Sequence, residues 1–597
     1  MKNVIILAIF TMTIWGCNST INREQIIKKQ KEQLIQYYQE NLNNCLTSLE
    51  TIKKLEDPEM LKKEFDVARV SFKRMEPIMS FYAAKDYKTL NQPNLPHVDE
   101  FDNSDKVIKA IGFQVIEELM YASDSLDVNE VHRQAGLMIN TLNLELNNNK
   151  ILVLKPYHLL WMVRNELVRI TSLGISGFDS PVYLNSLEEN QHAYDGIAFL
   201  LSISKDYFKD KKLLEEWNES IVLAKNKLST AKSFDQFDRF TFIKESVHPM
   251  LGLWVKTIKD WEVEFPFEQK INYYATSLFD KNTFNINKFS SRYSIAYNEE
   301  VVALGKQLFH DQKLSSNGKM SCATCHDPQK AFTDGLPKSI TNTGASNKRN
   351  SPTLMYAGLQ AAQFYDSRKS LLENQIMDVV KNKDEFHSNM EKVVDVVQKN
   401  EEYTKVLQKH YENTDSKSIR NSIAMYVRSL SPFNSKFDQG ITSNQVELST
   451  AVINGFNLFM GKAKCGTCHF APIFNGTVPP LFNHSELEVL GVPSKKEWES
   501  AEVDPDKGRY EISKAPLKMF AFKTPTIRNI SKTAPYMHNG VYETLDEVLK
   551  FYNQGGGEGI GIHLENQTLP PDQLNLSEKE LNDLVAFMES LTDQVNY

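Results

Sequence analysis

Two six-residue stretches, Ser321-Cys322-Ala323-Thr324-Cys325-His326 and Lys464-Cys465-Gly466-Thr467-Cys468-His469, constrain this chain more than anything else in it. Two cysteines separated by two residues, with a histidine directly after, can take the two vinyl groups of a haem as thioethers while the histidine ligates the iron. A lone copy also fits a redox dithiol. Here both copies follow the same prelude, Gly305-x-x-Leu308-Phe309 and Gly455-x-x-Leu458-Phe459. An internal repeat that ends twice in this pentapeptide implies two covalently bound c-type haems. Cys322, Cys325, His326, Cys465, Cys468 and His469 are then the cofactor-binding set, with His326 and His469 as iron ligands.

The start of the chain agrees with haem attachment outside the cytoplasm. Met1-Lys2 and the apolar run from Val4 to Trp15 read as a signal peptide, too short to span a bilayer comfortably. Ile14-Trp15-Gly16-Cys17 resembles a lipobox. Residues 1–17 are therefore expected to be a lipoprotein leader, and the mature protein to be exported to the periplasm and tied to a bacterial membrane only by lipid on Cys17. Plain secretion with an incidental cysteine is the alternative. Of six cysteines, Cys17 and the four of the repeats leave Cys45. It shares a helical seam with Ile27, Leu34, Tyr38, Leu42, Leu49 and Ile52, which assigns it to a core. A net charge of -8 and the absence of any Lys/Arg block interleaved with aromatics exclude a nucleic-acid surface.

At 597 residues the chain is too long for one core. Residues 18–285 read as long amphipathic helices with apolar residues recurring at three and four, and Ser186-Leu187-Glu188-Glu189 has the pattern of a capping box. Within this bundle, Ile111-Gly112-Phe113-Gln114-Val115-Ile116-Glu117 resembles the GxHxxE motif of imelysin-like helical bundles, periplasmic domains associated with iron uptake, with Gln114 where the histidine stands. Gln114 and Glu117 share a helix face, and such a pair serves a core hydrogen bond as readily as a metal. The helical period lapses between Asp280 and Arg292. The remainder divides between its two repeats into 286–440 and 441–597, with long connections rich in Gly, Pro, Asn and Thr. The expected fold class is mainly α, an N-terminal helical bundle followed by two cytochrome c-like haem domains.

Beyond the repeats, this second half carries Asp334-Gly335-Leu336-Pro337, Arg349-Asn350-Ser351-Pro352-Thr353, Thr524-Pro525-Thr526-Ile527-Arg528-Asn529 and Thr533-Ala534-Pro535-Tyr536-Met537-His538-Asn539-Gly540. With these motifs it resembles the bacterial di-haem cytochrome c peroxidase and MauG family. The resemblance implies one haem domain that reacts with peroxide and one that transfers electrons. It also implies roles. Glu385 is the distal carboxylate that moves a proton between the two peroxide oxygens, Gln375 is a second distal-pocket residue, and Tyr365 stands where most relatives have a tryptophan between the haems. One calcium ion would be held by the Asn350 side chain and the backbone carbonyls of Thr533 and Pro535, an all-oxygen set suited to a hard cation. Asn342 occupies the position where a histidine can close the sixth site of the first iron. No histidine lies between His326 and His387, so that site is expected to stay open without prior reduction, as in MauG-type enzymes. For the second iron the family register points to Tyr552 as the other axial ligand. Leu545, Val548, Leu549 and Tyr552 share one helical face, and Met537 is the competing candidate.

These readings converge on an exported di-haem oxidoreductase that reduces hydrogen peroxide at the His326 haem, with the His469 haem relaying or storing electrons. Its partner would be a small donor such as a cytochrome c or cupredoxin, or a protein substrate. Two rivals stay open: a non-catalytic electron-transfer cytochrome, and an iron-handling bundle with a redox partner domain.

Overall fold

The first helix, α1 (Lys2–Ile52), shows why the seam read from sequence becomes a core: Leu34, Leu42, Cys45, Leu49 and Ile52 have no solvent exposure. The computed structural model describes residues 2–122, 126–148 and 150–594, with the side chains of the first helix described from Glu24. The leader expected at 1–17, with Cys17, lies outside the residues so described. Asp57 stops the turn after α1 and starts α2 (Pro58–Tyr82), its carboxylate accepting the Met60 N–H at 2.9 Å, with Pro58 in the first turn where no N–H is needed. A short antiparallel ribbon follows, β1 (His97–Asp99) and β2 (Asn103–Ile108). The other helices of nine or more residues in the N-terminal half are α3 (Phe113–Tyr121), α4 (Val128–Asn147), α5 (Pro156–Arg169), α6 (Ser186–Ile203), α7 (Lys211–Ser229) and α8 (His248–Asp260). Among the described residues no helix is long and apolar enough to cross a membrane.

The centre of this half is charged. Arg69, Lys73 and Glu76 on α2 meet Glu166 and Arg169 at the end of α5, Asp179 beyond it, and Glu189 on α6, all buried. Asp179 accepts from Lys73 and from Arg169 at 2.7 Å each, and Arg69 Nε donates to Glu189 at 2.5 Å. Buried charges are tolerable only when paired in this way, and an apolar substitute would specify the arrangement less sharply. The network corrects one expectation. The Ser186–Glu189 capping box does not form, because Glu189 is drawn inward to Arg69, and the Ser186 hydroxyl is buried without a hydrogen-bond partner.

In the C-terminal half the repeated prelude marks a repeated helix crossing. α9 (Glu299–His310) packs on α11 (Ser416–Ser429), with α10 (Leu372–Lys381) between them in sequence. A methyl group on Gly305 would overlap the Ser422 carbonyl. α12 (Thr450–Phe459) packs in the same way on α14 (Glu578–Ser590), and a methyl on Gly455 would overlap the Asp583 carbonyl. Glycine is required where backbones approach this closely. Between α12 and α14 in sequence lie a second two-stranded ribbon, β3 (Leu487–Glu488) with β4 (Phe522–Lys523), and the helix α13 (Leu545–Asn553).

The long helices stop at Asp260, earlier than the lapse read between Asp280 and Arg292, and none spans the stretch to Glu299, yet this stretch is packed. Ile271, Leu278, Phe279 and Phe284 are buried. Phe279 meets Phe437 edge-on at 5.7 Å, and Phe284 meets Phe482 at 5.2 Å. Buried residues from both halves form one continuous apolar cluster.

Candidate functional site

Each CxxCH stretch is a tight turn that delivers its histidine. Cys322–Cys325 form one helical turn, opened by a Ser321 N–H bond to the Thr324 hydroxyl at 3.0 Å. His326 Nδ1 faces the Phe332 carbonyl at 3.0 Å, and His469 Nδ1 faces the Phe474 carbonyl at 3.3 Å. A carbonyl only accepts, so both imidazoles carry their proton on Nδ1 and present a bare Nε2. This is the second-shell arrangement of a metal-ligating histidine. Burial keeps both rings neutral, pushing His469 down to about 4 and lowering His326. The four cysteines are free. Burial pushes the Cys322, Cys325 and Cys465 thiols up to about 12 and Cys468 well up, which removes the thiolate a redox dithiol needs. Two neutral histidines with free Nε2 atoms, each beside two unpaired thiols, fit c-type haem.

The first motif opens onto a cavity of about 540 Å³, within the ~300–1,000 Å³ of cofactor sites. Cys322, Cys325 and His326 line it together with Tyr365, Gln375 from α10 and Glu385 from the following loop. Burial raises the Glu385 carboxyl to about 7, with Arg368 pulling the other way. A carboxyl poised near neutrality can accept a proton and give it back.

Asn342 does something its position in the sequence did not suggest. Its side-chain amide donates to the carbonyls of Lys383 and Glu385, 2.8 Å each, and its N–H donates to the Asp384 carbonyl at 3.0 Å. Asn342 thus pins the loop carrying Glu385. Asn317 and Ser316 reach the same region, donating to the Asn342 and Phe386 carbonyls.

Tyr365 donates from its hydroxyl to Asn350 Oδ1 at 3.3 Å, and burial raises its pKa well above that of an ordinary phenol. Asn350 Nδ2 donates to the carbonyls of Leu336 (2.8 Å) and Pro535 (3.3 Å). Asn350, Thr533 and Pro535 therefore line the same cavity wall. The amide presents nitrogen to Pro535, so an oxygen-only cation site there requires the amide to turn over, an assignment that hydrogen bonding alone decides.

The two axial candidates separate in space. Met537 lines the cavity of the first motif. Tyr552, on α13, lies beside Cys465 and Cys468 of the second, whose proximity, with Glu488, adds to burial in raising its phenol. Gln114 and Glu117 serve structure. Gln114 donates to the Asn91 and Phe178 carbonyls, and Glu117 accepts the Val182 and Tyr183 N–H groups. The loop they hold packs on the second motif. Ser172 donates to the Ala471 carbonyl at 2.9 Å, and Phe178 meets Phe470 edge-on at 5.6 Å.

The second half of the chain is similar to known proteins. Residues 299–446 match the family model described as di-haem cytochrome c peroxidase. The chain is 32% identical over 314 residues to the cytochrome-c peroxidase IdrP2 of Denitromonas iodatirespirans, covering 50% of this chain and 83% of that protein. It is 29% identical to the methylamine utilization protein MauG of Methylophilus methylotrophus, covering 49% of this chain and 82% of the relative. Among solved structures, a MauG-like protein associated with microbial copper homeostasis matches at 28% identity over 50% of this chain and 90% of the other, with a TM-score of 0.44.

Proposed function

This chain belongs to the di-haem cytochrome c peroxidase family, and on that premise we propose that it is an exported di-haem peroxidase that reduces hydrogen peroxide in the cavity beside His326. The observation that carries this reading is that Glu385, Gln375 and Tyr365 share one cavity with Cys322, Cys325 and His326. The two c-type haems, one on each CxxCH motif, supply the redox chemistry when bound. What the chain supplies is ligation, proton movement and order. His326 and His469, each held by a backbone carbonyl, offer Nε2 to an iron. Glu385 takes a proton from one peroxide oxygen and returns it to the other as the O–O bond breaks, and its raised pKa makes both transfers feasible near neutral pH. Gln375 orients peroxide by hydrogen bonding. Asn342 keeps the Glu385 loop in place.

Tyr552 would be the second iron's other ligand in this reading, supported by its position beside Cys465 and Cys468. A phenolate ligand stabilises the oxidised iron relative to a thioether such as Met537, so the second site favours storing oxidising equivalents. Tyr365 lies on the electron route between the sites, and its hydrogen bond to Asn350 gives the phenol a fixed partner. Asn350, Thr533 and Pro535 are the proposed calcium ligands, residues 286–440 and 441–597 the two haem domains, and Cys17 the lipid anchor in the periplasm. The electrons come from a small cytochrome c or cupredoxin, or from a protein substrate. The deciding experiment is peroxide turnover by the purified holoprotein with and without prior one-electron reduction. Equal rates are expected, and dependence on prior reduction refutes the open first site. A ferric spectrum with two low-spin haems would instead favour a non-catalytic carrier.

A further inference from the structure

Four of the cations that line the first cavity have evident partners. Lys348 pairs with Asp506 and Glu511, Arg349 with Asp366 and Asp506, Arg368 with Asp366 and Asp378, and half-buried Arg420 donates to the carbonyls of Ser416 and Glu373. Lys523 is different. It is 8% exposed, and its ammonium donates only to the neutral amide oxygen of Gln360 at 2.7 Å. Among the described residues no carboxylate lies within ion-pair distance of it.

Burying an ammonium without an anion is costly, and proteins do so where a ligand brings the missing charge. The backbone leaves Lys523 little choice of place. It ends β4, paired across to Leu487, and its N–H donates to the Tyr365 carbonyl at 2.6 Å. It is therefore anchored to the residue read as standing between the two haem sites. Burial alone pushes the Lys523 ammonium down to about 8, the response of a cation lacking a counter-charge.

We propose that Lys523 is the carboxylate-binding residue of this cavity, receiving a haem propionate on its ammonium and fixing a positive charge between the two haem sites. The inference rests on the two-haem reading above. A fixed positive charge favours the reduced state of a nearby iron, so Lys523 raises the potential of the haem it serves. The propionate supplies the negative charge that the neutral Gln360 amide cannot.

The test is potentiometric titration of the full-length holoprotein, with haem content measured on the same samples. Lys523→Gln should keep two haems and shift the reduction equilibrium of at least one haem toward the oxidised form by about tenfold, which is ~59 mV for a one-electron couple. Lys523→Arg should stay within about twofold of wild type. Gln360→Glu offers an independent arm, since it gives the ammonium an internal carboxylate and should shift the equilibrium in the same direction. It also decides the matter if Lys523→Gln does not fold. Two attached haems with unchanged potentials, in Lys523→Gln or in a Gln360→Glu protein that stands in for it, overturn the proposal. Fewer than two haems in the wild-type protein overturns the two-haem reading instead.

Discussion

Replacing Glu385 by glutamine separates chemistry from stability, because the structure assigns opposite signs to the two. The carboxyl is raised from 4.5 to about 7, chiefly by desolvation in the cavity wall. At ~1.36 kcal/mol per unit, ionising it in the folded protein costs on the order of 3 kcal/mol more than in the unfolded chain. The sign follows from linkage. Below pH ~4.5 the group is protonated in both states and carries no penalty. The penalty grows as pH rises from about 4.5 and is complete above about 7. Glu385→Gln removes it, so the variant should be more stable than wild type by up to roughly 3 kcal/mol at pH 8 and equal to it near pH 4. Turnover should fall by ~10²–10⁴. In wild type, kcat/KM should also decline tenfold per unit below pH ~7, a limb the variant lacks. The assays are urea unfolding of the holoprotein at both pH values and steady-state peroxide consumption across the range. Wild-type turnover in the variant refutes the proton-transfer role. Lost turnover with no gain in stability at pH 8 refutes the desolvation argument.

Two further outcomes follow from the same cavity and its neighbour. Tyr552→Phe should abolish the low-spin ferric signature of the second haem while Met537→Leu preserves it, read by absorption and paramagnetic resonance; the reverse result moves the axial ligand to Met537. Asn342→Ala removes two 2.8 Å hydrogen bonds to the Glu385 loop. At about 1 kcal/mol for each, stability should drop by roughly 2 kcal/mol, and kcat should fall more than KM rises, whereas a purely structural loss leaves kcat per folded molecule unchanged.

Much of the site was legible because haem attachment leaves a local signature. The pentapeptides and their shared glycine prelude sit within short windows, and the prelude turned out to mark the helix crossings at Gly305 and Gly455. The seam through Leu34, Leu42, Cys45 and Leu49 was legible for the same reason, a period of 3.6. What stayed hidden depends on contacts far apart in sequence. Asn342 read as a lost ligand because nothing near it names Lys383 and Glu385 as its partners. The Ser186–Glu189 pattern misled because Arg69, more than a hundred residues away, outcompetes a helix N-terminus for Glu189. Lys523 carried no signal at all: a lysine in a short strand is ordinary until its burial is seen.

The seam of phenylalanines between the halves has a consequence for how the molecule comes apart. A cut at the compositional border near residue 285 would strip Phe279 and Phe284 of Phe437, Phe433 and Phe482, and leave Phe240 bare of Phe456. Each buried ring hides ~150–250 Å² of apolar surface, so either fragment would present a sticky face to its neighbours in solution. Melting should therefore run as one cooperative event across the border.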